Sequence, residues 1–201
     1  TGTALPLAAA STGELQFHVL LPAREKPPAG YPVVITGHGF GDNRFAGPST
    51  LAGSLAAQGL ATVAINAVGH GYGPDTKLVL RDKSGITVEV DGGGRGIDLN
   101  GDGKIEPQEG CLILTADAPV GLRDCLRQTV ADLMQLVRAI RAGVDLDGDG
   151  KADLDPDRIY YAGISLGSIY GTMLNAVEPD IRAAVLNVGG GSVADIVRLG
   201  R

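Results

Sequence analysis

The sequence predicts an α/β fold built on a doubly wound, mostly parallel sheet. The first observation is a set of continuous apolar runs, Pro32–Thr36, Leu60–Asn66 and Ile181–Val188, typical of strands buried on both faces of a parallel sheet. The second is that segments with helical patterns alternate with these runs. The third is that each run ends in a glycine-rich loop. Loops that follow parallel strands meet at one edge of the sheet, where folds of this class place their sites.

Local patterns justify the other elements of the core in chain order. Glu14–Leu21 alternates apolar and polar side chains, which predicts a strand. Ser49–Gln58 predicts a helix that Gly59 stops. Gly121–Ala142 predicts a long helix, because apolar residues recur along it at helical spacing. These residues are Leu122, Leu126, Val130, Leu133, Val137 and Ile140.

Residues 74–120 interrupt the alternation of strands and helices. Within them, Leu78–Leu80 and Ile86–Val90 flank the turn-forming segment Asp82–Gly85, which predicts a hairpin. We therefore treat the 201 residues as a single domain that carries an insertion at 74–120.

The composition is that of a globular protein with an acidic balance. Hydrophobic residues make up 44% of the chain, charged residues 20%, and the net charge is −6. Because phosphate binding needs clustered Lys and Arg, this balance argues against nucleic acid as a main partner. No apolar run reaches the roughly 20 residues that span a bilayer, so we expect no transmembrane segment. The two cysteines, Cys111 and Cys125, either form a disulfide or remain small core residues, and the sequence leaves both interpretations open.

The segment Gly163–Gly167, Gly-Ile-Ser-Leu-Gly, joins a predicted strand to a helix predicted at Leu166–Val177. Glycines on both sides of a serine allow a sharp strand-to-helix turn that larger side chains would block. Such a turn exposes the Ser165 hydroxyl as a nucleophile. It also leaves the Leu166 N–H free at the start of a helix, where it stabilises developing negative charge. The alternative is an ordinary turn whose serine only caps the helix.

A second loop at the same edge, His38-Gly39-Phe40-Gly41, directly follows a buried strand. A tetrahedral oxyanion needs two preorganised N–H donors, and by position the Phe40 amide complements that of Leu166. We expect His38 to brace this loop rather than to titrate. Gly69-His70-Gly71 follows the next buried strand and reaches the same edge.

Residues 98–109 match the pattern of an EF-hand calcium loop at each diagnostic position. Oxygen ligands stand at positions 1, 3 and 5, glycine at 6, an apolar residue at 8 and glutamate at 12. The predicted ligands are Asp98, Asn100, Asp102, Lys104 through its carbonyl, Glu106 and Glu109. The alternative is a solvated acidic turn without metal.

Residues 145–156 repeat the first half of that pattern, but position 12 is Pro156, which cannot be a ligand. Either Asp153 or Asp155 must then complete the shell. The predicted ligands are Asp145, Asp147, Asp149, Lys151 through its carbonyl, Asp153 and Asp155. Carboxylates packed this closely repel one another without a cation. We expect two structural calcium ions rather than calcium sensors.

Together these segments resemble the α/β-hydrolase superfamily and, within it, secreted bacterial serine esterases and lipases with calcium-loop insertions. The resemblance extends from about Glu14 to Val188. It implies that Ser165 is the nucleophile and that the Phe40 and Leu166 amides form the oxyanion hole. It further implies a triad in the order serine, acid, histidine. The loop residues that it assigns to the substrate site are His38, Gly39 and His70.

The chain departs from that pattern because its three histidines, His18, His38 and His70, all precede Ser165. The resemblance places the catalytic histidine beyond the last strands of the sheet. The sequence lacks those last strands as well as a histidine after Ser165. We therefore expect an N-terminal fragment, completed either by further residues of the same protein or by a second polypeptide. Asp195 stands where a minority of such enzymes carry the acid.

These patterns predict a serine hydrolase that cleaves small-molecule or lipid esters of carboxylic acids through an acyl-enzyme. The catalytic histidine would come from outside this chain segment. The alternative is a non-catalytic, calcium-stabilised module in which the turn at Gly163–Gly167 has only a structural role. Calcium sites and a disulfide would both favour an extracytoplasmic location.

Overall fold

The structure, a computed structural model, describes residues 13–107, 109–111 and 118–191. Two sheets and three helices lie within these residues. The strands are β1 (Phe17–Leu20), β2 (Tyr31–Gly37), β3 (Ala61–Ile65), β4 (Lys77–Arg81), β5 (Thr87–Asp91), β6 (Leu154–Ile164) and β7 (Ile181–Asn187). The helices are α1 (Ala46–Ala57), α2 (Ala118–Ala142) and α3 (Leu166–Val177).

The main sheet has five strands in the order β1-β3-β2-β6-β7. Strand β1 is antiparallel to β3, and the other neighbours are parallel. The carboxyl ends of β2, β3, β6 and β7 therefore lie at one edge, and the loops that follow them meet there. This arrangement confirms the predicted α/β fold.

Helices cover both faces of this sheet. Val33 and Ile35 of β2 face α2 and α3, whereas Val34 and Thr36 face α1, because successive side chains of a strand point to opposite faces. The core between the sheet and helices α2 and α3 is formed mainly by Val33, Ile35, Val63, Ile65, Leu133, Val137, Ile140, Ile159, Tyr161, Tyr170 and Leu174. Apolar burial on both faces explains the continuous apolar runs of β2 and β3.

Strand β6 begins earlier than predicted, and β7 lies at an edge of the sheet. Strand β6 begins at Leu154, which pairs with Tyr31 of β2 across a register shift, so Asp155 belongs to a strand instead of an acidic loop. Strand β7 carries an apolar run typical of a buried strand, and most of it is exposed, with Val185 at 68%, as expected of a sheet whose last strands the sequence lacks. The reason is that, among the described residues, β7 pairs only with β6 and forms an edge of the sheet.

The insertion contains the predicted hairpin. Strands β4 and β5 pair as a separate two-stranded sheet, and the Asp82 carboxylate accepts hydrogen bonds from the N–H groups of Ser84 and Ile86 at their turn. A disulfide between Cys111 and Cys125 ties the end of the insertion to α2, which answers the question that the sequence left open. Residues 112–117 lie outside the described residues. Among the described helices, none is both long and apolar enough to span a membrane.

Candidate active site

Ser165 lies in a strained turn between β6 and α3. Its backbone has φ 52° and ψ −116°, a conformation that costs a non-glycine residue about 1–3 kcal/mol. The neighbouring glycines make the turn feasible: a Cβ on Gly163 would lie 2.5 Å from the Gly167 oxygen. A Cβ on Gly167 would lie 2.2 Å from the Gly37 oxygen, at the end of β2. The turn is therefore the predicted elbow, and the Ser165 side chain is exposed at the carboxyl edge of the sheet.

Three residues without a signal in the sequence motif hold this turn in place. The carbonyl of Asn187 at the end of β7 accepts the Ser165 N–H at 3.0 Å. The buried Ser168 hydroxyl lies 2.7 Å from that same carbonyl and 2.7 Å from the Gly163 carbonyl. The hydroxyl of Tyr161 donates to the Gly167 carbonyl at 2.5 Å. Because these contacts join two strands to the helix, sequence spacing alone could not have identified them.

The two predicted oxyanion donors are available. Helix α3 begins with Leu166, and the Ser165 carbonyl accepts the N–H groups of Ser168 and Ile169. The Leu166 N–H lies at the start of the helix, where no intrahelical carbonyl can reach it, and it has no acceptor in the described part of the chain. The Phe40 N–H likewise has no acceptor among the described residues. Gly39 lies beside the elbow, since a Cβ at that position would be 3.8 Å from the Ser165 Cβ. The structure thus brings both predicted loops to Ser165.

His38 orients the peptide that carries the Phe40 N–H. Its Nδ1 donates to the Gly39 carbonyl at 2.8 Å, and its Nε2 accepts the Ala67 N–H at 2.9 Å. In a trans peptide the C=O and the following N–H point in opposite directions. Holding the Gly39 carbonyl on one side therefore turns the Phe40 N–H to the other. Burial lowers the pKa of His38 to about 4, so the ring is neutral at pH 7, as both hydrogen bonds require.

His70 supports the same loop from behind. Its buried ring donates from Nδ1 to the Val68 carbonyl at 3.0 Å and lies edge-on to Phe40, with centroids 5.4 Å apart. Burial lowers the pKa of His70. The Nε2 atom is buried and has no partner among the described residues. His70 is therefore a neutral packing residue next to the oxyanion loop.

In the described part of the chain, no hydrogen bond joins a histidine to Ser165. His38 and His70 are engaged by backbone groups, and His18 packs edge-on against Phe45 with ring centroids 5.0 Å apart. Asp195, the acid that the resemblance suggested, lies outside the described residues. The described residues thus contain the predicted nucleophile and the two predicted oxyanion donors, without a histidine hydrogen-bonded to Ser165.

Arg95 and Cys111, within the predicted insertion, contact the loop that carries His70. The Gly69 N–H donates to the Arg95 carbonyl at 3.1 Å, and the Arg95 N–H donates to the His70 carbonyl at 2.9 Å. The Arg95 guanidinium also bonds the Asn66 carbonyl and Asp132 of α2. A Cβ on Gly69 would lie 2.3 Å from the Cys111 nitrogen, so the end of the insertion touches the His70 loop directly. The first acidic loop ends at Glu109, two residues before Cys111, and Cys111 lies against the loop that carries His70.

A cavity of about 270 Å³ lies between α1 and the face of β2, β6 and β7 on the α1 side of the sheet. Gly37, Asp42, Leu51, Ile164 and Val185 are among its lining residues. Neither Ser165 nor Phe40 lines it, so it is not the pocket in which a bound acyl group would contact the nucleophile.

The first acidic loop folds around its own oxygen atoms. Asp98 accepts N–H groups from Gly101 and Gly103 at 2.7 and 2.9 Å. The Glu109 carboxylate reaches back to the N–H groups of Leu99 and Asn100 at 2.9 and 3.2 Å, and also accepts the N–H of Glu106, the predicted ligand at position 9. Asn100 and Asp102 accept bonds from residues two positions later, the second from Lys104. The donor set consists of oxygen atoms, which a hard cation such as calcium prefers. Among the described residues, however, three carboxylates converge within 4.8 Å only in the second acidic loop.

The second acidic loop gathers part of its predicted ligand set. Carboxylate oxygens of Asp145, Asp147 and Asp149 lie within 4.8 Å of one another. Asp153 closes the loop, since its Oδ2 accepts the Leu146 N–H at 2.6 Å. The predicted alternative, Asp155, turns elsewhere and accepts bonds from Asp157 and Arg158. Lys151 donates its N–H to Asp149, as Lys104 does in the first loop.

Comparison with known proteins gives matches in structure only. No protein-family model and no curated protein matches the chain. Acetyl xylan esterase from Paenibacillus sp. R4 is 20% identical with a TM-score of 0.53, over 86% of this chain and 43% of that one. Acetyl xylan esterase 1 from Thermoanaerobacterium sp. JW/SL YS485 is 23% identical with a TM-score of 0.50, over 86% and 43%.

A third match is Est1E from Butyrivibrio proteoclasticus, solved with ferulic acid, at 18% identity and a TM-score of 0.50 over 93% and 53%. The chain therefore spans about half the length of the proteins that it matches. At these identities the similarity concerns the fold. The chain has the α/β fold found in these esterases.

Proposed function

We propose that this chain carries the nucleophile and the oxyanion hole of a serine hydrolase that cleaves carboxylic esters. The observation that carries the proposal is the strained elbow of Ser165, with the Gly39–Phe40 peptide beside it. Strain at an exposed serine persists only where the surrounding structure maintains it, and such strain concentrates at functional sites. The fold shared with structurally similar esterases is consistent with the proposal.

In the proposed reaction the Ser165 oxygen attacks the ester carbonyl carbon, and a histidine from outside the 201 residues accepts the hydroxyl proton. The Phe40 and Leu166 N–H groups stabilise the negative charge on the tetrahedral intermediate. The alcohol leaves with a proton from the histidine, and water then hydrolyses the acyl-enzyme. The substrate would be a small-molecule or lipid ester.

We also propose that loop 98–109 binds calcium as a structural ion. The ligands would be Asp98, Asn100, Asp102, the Lys104 carbonyl and Glu109, with Glu106 at position 9. The ion would neutralise the loop carboxylates and keep the loop against the His70 segment. The disulfide supports an extracytoplasmic location, because disulfides persist in oxidising compartments.

The test is hydrolysis of p-nitrophenyl acetate by the full-length protein, together with its intact mass after a fluorophosphonate probe. We expect one adduct, on Ser165, and a loss of about 10⁴–10⁶-fold in kcat for Ser165→Ala. Ser54→Ala, an exposed serine on α1, is the matched control and should keep full activity. The intact mass also shows whether further residues or a second polypeptide accompany the chain. No adduct and no hydrolysis would favour the non-catalytic module.

A further inference from the structure

The loop that leads into β6 gathers four carboxylates, three of which lie within 4.0 Å of a lysine from elsewhere in the chain. The Lys26 Nζ lies 2.7 Å from Asp153 Oδ1, 3.2 Å from Asp149 Oδ2 and 3.5 Å from Asp147 Oδ2. Asp145 belongs to the same group, since its carboxylate approaches those of Asp147 and Asp149. A cation, the ammonium of the protein itself, therefore already lies among the carboxylates predicted to bind calcium.

The backbone delivers Lys26 to this position. The segment between β1 and β2 runs directly against the end of the loop: the Tyr31 N–H donates to the Asp153 carbonyl at 2.8 Å. A Cβ on Gly30 would lie 2.7 Å from the Leu154 carbonyl carbon, so the two backbones touch. The Lys26 side chain is 21% exposed and that of Asp153 only 2%. The contact between Lys26 and Asp153 is thus largely shielded from water. Solvent and salt therefore screen this ion pair less than they screen a fully exposed one.

The first acidic loop offers a contrast. In the described part of the chain, no Lys, Arg or His nitrogen lies within 4.0 Å of a carboxylate of Asp98, Asp102, Glu106 or Glu109. The same turn geometry therefore has an internal cation in one loop and none in the other.

We propose that Lys26 is a built-in competitor for the cation site of loop 145–153, so that calcium binds there only by displacing the ammonium from Asp153. The inference rests on the calcium-binding pattern used in the proposed function. Calcium needs six to eight oxygens at about 2.3–2.6 Å. Because Pro156 supplies none and Asp155 faces Arg158, Asp153 is the closing carboxylate. An ammonium hydrogen-bonded to that carboxylate excludes a second cation by charge and by volume.

Competition of this kind has a reciprocal consequence. The factor by which Lys26 weakens calcium binding equals the factor by which calcium weakens the contact of Lys26 with the loop. Loop 98–109 should therefore fill at lower calcium concentration than loop 145–153. In the absence of metal, Lys26 rather than calcium would hold the loop against the segment before β2.

The experiment is a calorimetric calcium titration of the full-length protein in a Glu109→Gln background, which removes the closing ligand of the other loop. We expect Lys26→Met to bind calcium about tenfold more tightly than the background protein, within the usual range of coupling between two ligands. Lys151→Met is the matched control, because it removes one positive charge from the loop itself, at a side chain without an ion pair in the described residues, and keeps the backbone carbonyl. It should change the affinity far less. Asp145→Asn should abolish the gain.

A second measurement is thermal unfolding with EDTA or with calcium. Lys26→Met should unfold at a lower temperature in EDTA and recover in calcium, whereas Lys151→Met should do neither. Equal titrations of the two lysine variants, or a loss of stability that calcium does not reverse, would overturn the proposal. Lys26→Gln serves if the methionine variant does not fold. Neither readout involves Ser165 or an ester, so failure of the hydrolase proposal would leave both interpretable.

Discussion

Residues 98–104 and 145–151 have nearly the same sequence and fold into nearly the same turns. In each loop the first aspartate accepts N–H groups from the residues three and five positions later. In each loop both glycines have φ between 75° and 81°, a region that other residues avoid. The local pattern therefore specifies the turns twice, independently of what surrounds them.

The surroundings of the two loops differ. Loop 98–109 closes on Glu109 at position 12 and continues to Cys111, the disulfide and the back of the His70 loop. Loop 145–153 closes on Asp153 at position 9 and on Lys26, which is remote in sequence. The comparison shows that the same local turn can have different tertiary neighbours. The Lys26 ammonium reaches the carboxylates of the second loop, whereas no cation among the described residues reaches those of the first.

The largest effect is expected from the covalent anchor of the first loop. Replacing Cys111 and Cys125 by serine should lower the free energy of unfolding by about 3 kcal/mol, because their separation of 14 residues closes a loop of that size in the unfolded chain. Denaturant titration measures the loss, and the wild-type protein under reducing conditions is the control. If the disulfide stabilised the second loop as much as the first, calcium would no longer restore the unfolding temperature of Lys26→Met when both cysteines are also replaced by serine.

The next effect concerns the closing residue of the second loop. Asp153→Asn should destabilise the protein by about 2 kcal/mol, the usual value of a hydrogen bond to a charged group, and should abolish calcium binding at loop 145–153. Asp155→Asn is the matched control, since that carboxylate bonds Arg158 and not the loop. Calcium titration that failed in Asp155→Asn and survived in Asp153→Asn would reverse the assignment.

A smaller effect is expected on catalysis. Removing calcium with EDTA should lower kcat by about tenfold with little change in KM, a fraction of the 10²–10³-fold that loss of an oxyanion donor costs. The reason is that loop 98–109 ends against the segment that supports Phe40. Glu109→Gln should reproduce the loss without EDTA. An equal loss of kcat in Asp145→Asn would show that the two loops do not differ in this respect.

The smallest effect is expected at mildly acidic pH. Burial holds the pKa of His38 at about 4 in the folded protein, whereas an unfolded histidine titrates near 6.5. Between these values the unfolded chain binds more protons, so stability decreases as the pH falls, by about 1 kcal/mol at pH 5.5. Denaturant titrations from pH 7.5 to 5 measure this slope. His38→Asn should reduce it, and an unchanged slope in that variant would contradict the assignment.

The second loop should respond at lower pH. Burial alone would raise the pKa of Asp153, but hydrogen bonds from Lys26 and from the Leu146 N–H hold it below its usual value. Its contribution is therefore present above the unfolded pKa of about 3.9 and is lost as the pH falls through the lower, folded value. The pH dependence of stability therefore distinguishes the two regions: the contribution of His38 changes between about pH 4 and 6.5, and that of Asp153 changes below about pH 3.9.

Much of the fold and of the candidate site could be predicted from local patterns. The turn at Ser165 followed from two glycines whose missing side chains the structure shows to be required. The hairpin followed from two short runs, Leu78–Leu80 and Ile86–Val90, that flank a turn-forming segment at Asp82–Gly85. The ligand that closes the second loop was left between Asp153 and Asp155, because the choice depends on the pairing of Leu154 with Tyr31, far away in sequence.

What the sequence alone determined is conformation over a few residues: the elbow, the paired acidic turns and the helical apolar stripes. These depend on backbone sterics and on hydrogen bonds between near neighbours, which act in any surroundings. Only the tertiary structure decided that His38 turns the Phe40 peptide, that Ser168 and Asn187 hold the elbow, and that Lys26 enters an acidic loop. Each of these arrangements includes a contact between segments that are distant along the chain: Ala67 with His38, Ser168 with Asn187, and Lys26 with Asp153. Their geometry exists only once the sheet has set the distances between them.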